Sequence, residues 1–132
     1  MTTDLGTKLS VTQAVAYAVM AAQETEADPT WKDWAKGWLS GNERGSEPAA
    51  KASTSARSTS ARHAALAARL LAEAADLQTD SALLAAEGRN ARWQLDTLGQ
   101  RETDCLAAVA EAIRHAEIGD PDSILAKAEA EF

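Results

Sequence analysis

Apolar residues recur along most of this chain at steps of three and four, the period of an amphipathic helix, and nowhere alternate as a strand requires. Val11, Ala14, Val15, Ala18, Val19 and Ala22 open the pattern, with Tyr17 and Met20 widening the face. They predict a first helix from Ser10 to about Glu26. Asp28-Pro29-Thr30 then breaks the pattern and restarts it, because Asp28 or Thr30 offers a cap and Pro29 suits a first turn. The second helix, Trp31 to about Ser40, places Trp31, Trp34 and Trp38 on one side, and Gly41 suits its left-handed end.

Ser46 and Pro48 start a third helix, predicted from Glu47 to about Leu77. The Ser/Thr tract at 53–60 reads as part of it, with a disordered linker as the alternative. Ala52, Ala56, Ala61 and Ala64 keep the spacing, and no Gly or Pro falls between Pro48 and Gly88. Small side chains in this tract permit a close helix crossing, although Ser and Thr lower helix propensity. A fourth helix is expected from Asp80 or Ser81 to about Leu98, through Leu84, Gly88, Ala91 and Leu95, with Gly99 as its stop. The fifth spans about 101–118 on Leu106, Val109, Ile113 and Ala116. Gly119-Asp120-Pro121 ends it and opens a short sixth at about 121–131. Short connections favour antiparallel neighbours. The expected fold is all-α: a compact antiparallel bundle of about five to six helices without a sheet, as a single domain over 1–132.

Composition sharpens this picture. Alanine fills 31 of 132 positions against one Phe and one Tyr, so the indoles carry much of the available bulk. Trp31, Trp34 and Trp38 suit either an internal anchor or a binding face, where Trp is a favoured hot-spot residue. Trp93 is a candidate fourth member of the cluster, and Arg44 a candidate for its rim. The net charge of -7 is uneven: residues 1–30 carry -3, residues 31–75 carry +3 and residues 76–132 carry -7. An acidic C-terminal half argues against a broad nucleic-acid face and fits a basic partner, or packing of the middle segment on the acidic end. No stretch approaches the 18 apolar residues of a membrane span, and no signal-like leader is seen. The expected location is the cytoplasm.

Catalytic and metal chemistry find little support. Cys105 is the only cysteine, so no internal disulfide is available, and it sits in a helical pattern as a small hydrophobe. His63 and His115 are the only histidines, 52 residues apart. Glu111 and His115 share a helix face, but a di-metal bundle needs several inward acids with histidines on complementary helices. There is no GxSxG elbow, and Asp120 and Asp122 suit a helix start. Gly37, Gly41 and Gly45 lack the Lys-Ser/Thr ending of a phosphate loop. No cofactor, metal or enzymatic activity is expected. Lys51, Arg57, Arg62 and Arg69 on the long third helix form a narrow ridge, which supplies the alternative of a small nucleic-acid-binding accessory protein.

The stretch Trp31-x-x-Trp34-Ala35-x-x-Trp38-Leu39-Ser40-Gly41-x-Glu43-Arg44, with the Ala/Ser run after residue 49, resembles a segment of small alanine-rich bacterial and phage proteins. Some of these are immunity proteins of the Imm-5-like kind. The resemblance implies a helical interaction protein in toxin neutralisation or phage–host conflict, and it carries over no catalytic residue. The expected function is therefore a non-enzymatic protein-interaction module, immunity-like or phage accessory. Its candidate contact residues are Trp31, Trp34, Trp38, Arg44, Asp104, Glu111 and Glu117. Small Ala/Ser faces, and an apolar face left over in so short a bundle, predict a homodimer.

Overall fold

The computed structural model describes residues 10–116 and 121–131, and it is all-α. Six helices follow in order: α1 (Val11–Gln23), α2 (Pro29–Leu39), α3 (Ser46–Ser55), α4 (Thr59–Ala86), α5 (Arg92–His115) and α6 (Pro121–Glu131). No helix among the described residues is long and apolar enough to cross a membrane.

The central helix is α1. A capping box starts it: Gln13 N–H donates to Ser10 Oγ at 3.1 Å, and Ser10 N–H donates to Gln13 Oε1 at 2.8 Å. Eight of its thirteen residues are buried, from Ala14 to Ala22, so it is enclosed on more than one face. It packs on α2, α4, α5 and α6. Tyr17 and Ala21 meet Ile124 and Ala128 of α6, while Val15 and Val19 enter the main core. That core is built from alanines of α4 (Ala61, Ala64, Ala65, Ala67 and Ala68) and the buried face of α5 (Cys105, Ala108, Val109 and Ala112). Alanine thus supplies most of the side chains where α1, α4 and α5 meet.

Helix α2 starts at Asp28, whose side chain accepts from Trp31 N–H at 3.0 Å, with Pro29 in the first turn as expected. It ends at Gly41, at φ +86°. Asn42 N–H reaches the Gly37 carbonyl at 2.9 Å and Gly41 N–H reaches that of Trp38 at 3.1 Å. This is a Schellman motif, in which glycine avoids the steric cost of the left-handed conformation.

Four boundaries differ from expectation. Ser46 is the first residue of α3 and not its cap: Gly45 holds the cap position, with no side-chain cap bond. The helix predicted from Glu47 to Leu77 is broken at Ala56-Arg57-Ser58, where Ser58 caps α4 by accepting from Ala61 N–H at 3.1 Å. The break contains neither Gly nor Pro; a carboxylate from a distant loop holds it, as described below. The gap expected near Asp80 is absent. Thr79 and Ser81 turn their hydroxyls back on the carbonyls of Ala75 and Gln78, and α4 runs on to Ala86. Gly88 and Gly99 exchange roles. Gly88, at φ +72°, ends α4 in a second Schellman motif, with Arg89 N–H on Leu84 O at 2.8 Å and Gly88 N–H on Ala85 O at 3.0 Å. Gly99 lies inside α5 and stops nothing.

That exchange predicts opposite mutational signs. A methyl group at Gly99 meets no atom within 4 Å, so Gly99→Ala is expected to stabilise the protein by about 0.5–1 kcal/mol. Gly88→Ala meets equally open space but must hold a positive φ, and is expected to destabilise by about 1–2 kcal/mol. Chemical denaturation of both variants checks the pair.

Candidate functional site

The longest helices, α4 and α5, pair along most of their length. Their alanine-rich side is covered by α1, and α3 packs along α4. On α4, Leu66, Leu70, Leu77 and Leu84 follow steps of four, seven and seven, which sets them on one face within about 40°. All four are half-buried. On α5, Trp93, Asp104 and Glu111 follow steps of eleven and seven and likewise share a face.

Two open cavities mark where these faces meet. One, of about 380 Å³, is lined by His63, Leu66 and Leu70 of α4 and by Asp104 and Glu111 of α5. The other, of about 310 Å³ near the far end, is lined by Asp80, Leu83, Leu84 and Glu87 with Gln94 opposite. Between them Glu73 joins the helices, taking Arg101 at 3.0 Å and Arg69 at 3.1 Å. At the far end Leu83, Trp93 and Leu95 are 60 %, 67 % and 54 % exposed, the large apolar side chains most open to solvent among the described residues. Trp93 is therefore no member of the indole cluster.

The two histidines converge although 52 residues separate them. Their rings stack at 6.5 Å between centroids and 15° between planes, across the start of α4 and the end of α5. Thr59 O holds His63 through Nδ1 at 2.9 Å, and His115 Nε2 lies 3.7 Å from Glu111 Oε1. Cys105 stays apart. Its thiol is buried against the Ala67 carbonyl at 3.2 Å, and burial, with the nearby Glu102 charge, pushes it up to about 12. Such a thiol remains protonated and inert at neutral pH. Among the described residues no group of three or more His, Cys, Asp and Glu side chains is placed to hold a metal ion.

The remaining candidates sort clearly. Trp31, Trp34 and Trp38 are 0 %, 5 % and 1 % exposed, so the core is their place and an exposed indole face is not what the chain presents. Arg44 serves the same cluster: its guanidinium lies 4.1 Å over the Trp38 ring, and its Nε donates to the Trp38 carbonyl at 2.6 Å. Glu117 lies outside the described residues. The basic ridge is split, because Lys51 sits on α3, Arg57 in the break, and only Arg62 and Arg69 on α4. Arg57 lies 3.9 Å from Asp28, and Arg69 is paired with Glu73.

One functional-looking residue escaped the sequence pattern. Glu26 is a buried carboxylate (3 % exposed) at the foot of α1. Its Oε1 accepts from Arg57 N–H and Ser58 N–H, each at 2.9 Å, and from the Ser58 hydroxyl at 3.1 Å. Its Oε2 accepts from Ala27 N–H at 3.1 Å and Asp28 N–H at 2.8 Å. Burial opposes its ionisation, but the bonds from Ser58, Asp28 and Arg57 outweigh that and hold it below the ordinary carboxylate range. With every lone-pair direction engaged, its role is to fasten the α3–α4 break to the α1–α2 loop. Comparison with family models, curated proteins and solved structures gives no match to this chain.

Proposed function

We propose that the protein is a non-enzymatic interaction module that binds a protein partner through the open side of the α4–α5 pair. The observation that carries this reading is the cavity where Asp104 and Glu111, both singled out by their charge, flank Leu66 and Leu70. An apolar floor with a charged rim is the anatomy of a protein contact surface. The resemblance of residues 31–44 to Imm-5-like proteins supports an immunity-like or phage accessory setting. In this chain that stretch is α2 and its Schellman end, so the likeness concerns the scaffold and leaves the contact to α4 and α5.

Reversing charge at the rim tests the reading. Asp104→Lys with Glu111→Lys is expected to abolish capture of a stoichiometric protein partner while the thermal midpoint stays within a few degrees, as for surface changes generally. Partner capture that survives the double reversal would reject the α4–α5 side as the contact surface.

A further inference from the structure

We infer that the occupant of this surface is a single amphipathic helix bearing lysine or arginine beside its apolar stripe, laid along the groove between α4 and α5. The inference rests on the interaction reading above and adds the shape and charge of the partner.

Shape comes first. Leu66, Leu70, Leu77 and Leu84 form a seam with nearly a heptad step, the spacing that receives a third helix in knobs-into-holes packing, with Glu73 on the same face between Leu70 and Leu77. From Leu66 to Leu84 the seam extends 18 residues, about 27 Å at 1.5 Å per residue. The two cavities lie at its ends, one lined by Leu66 and Leu70 and the other by Leu84, with the Glu73–Arg101 bridge between them. A helix of about 20 residues spans that length, and helix-in-groove recognition reads such anchors at steps of three, four and seven.

Charge then selects the helix. The cavity linings contain four carboxylates, Asp80, Glu87, Asp104 and Glu111, and neither Lys nor Arg. Along the seam Arg69 and Arg101 are both committed to Glu73, and Arg62, one turn before Leu66, is no part of either cavity lining. Arg114 and Arg89 pair with Glu111 and Glu87, but these are exposed contacts that a partner cation exchanges at little cost. Asp80 and Asp104 enter no ion pair among the described residues. A second copy of the chain would set the same carboxylates against one another, whereas a basic helix neutralises them.

The probe is a fluorescently labelled synthetic peptide of about 20 residues, with leucines at heptad-like steps and lysine and arginine on the flanks. Its control carries glutamate in place of every flanking base. The basic peptide is expected to raise anisotropy on adding the intact protein, and to shift the emission of Trp93 to the blue as that exposed indole is covered. Asp80→Asn with Asp104→Asn should weaken binding about tenfold and flatten its salt dependence. Leu77→Asn should weaken it similarly without moving the thermal midpoint by more than a few degrees. Equal binding of the acidic control, indifference to the aspartate changes, or no binding at about 100 µM would overturn the inference. So would a chain that sediments as a dimer and reverts to monomer on Leu77→Asn, since the groove would then belong to a second copy. If the peptide fails while partner capture is still lost on rim reversal, the helix inference falls and the interaction reading stands; if both fail, both fall.

Discussion

Trp31→Ala is expected to lower the unfolding free energy by about 3–5 kcal/mol, the largest loss in this protein from a single side chain. The indole is fully buried, and its ring meets Trp34 edge-on at 5.7 Å and 61°. Its Nε1 donates to the Ala61 carbonyl at 2.9 Å, which ties α2 to the first turn of α4. The core cluster around it is mostly alanine, which has no side-chain torsion with which to close a void, so most of the cavity penalty persists. Trp38→Ala belongs to the same range and also releases Arg44 from the ring it covers. The control is Trp93→Ala. At 67 % exposure it should change stability by no more than about 0.5 kcal/mol while lowering peptide affinity. Equilibrium urea unfolding of the three variants distinguishes them, and a loss at Trp93 matching that at Trp31 would contradict the assigned core.

Glu26→Gln is expected to destabilise by about 2–4 kcal/mol despite preserving shape. Both carboxylate oxygens accept N–H bonds, so either orientation of the amide sets an NH2 against backbone donors. Glu26→Ala removes the acceptor altogether and leaves the N–H groups of Arg57 and Ser58 facing a void. The pH dependence follows from the lowered carboxyl. Its stabilising effect is complete above the ordinary value of 4.5 and is lost as pH falls through the lower folded value. The parent protein should therefore lose stability steeply in that acid range, and the Gln variant should show a shallower slope. Parallel slopes in acid titrations of thermal stability would exclude Glu26 as the fastening.

Local order was readable where the chemistry is local. The helix start near Ser10, the Asp28-Pro29 start and the Gly41 stop concern contacts within five residues, and each stands as the pattern implied. The indole spacing showed that Trp31, Trp34 and Trp38 share a face; only packing decided that the face turns inward. The leucine seam was hidden by the misplaced gap at Asp80, which divided Leu66, Leu70 and Leu77 from Leu84. The acidic rim at Asp104 and Glu111 was visible as charge, but its cavity needed α4 opposite. His63 and His115 meet for the same reason.

The sequence by itself determined the all-α class, the Asp28-Pro29 start and Gly41 stop of α2, and the sign of the net charge. These depend on propensity, period and composition, which act over a few residues. Only the tertiary structure decided where the long alanine-rich stretch divides, which glycine ends a helix, and which side of α4 and α5 stays open. The α3–α4 break depends on Glu26, 31 and 32 residues before the N–H groups it accepts. In a chain so rich in alanine, the local preference for helix is nearly uniform, and the breaks fall where a distant partner satisfies the backbone.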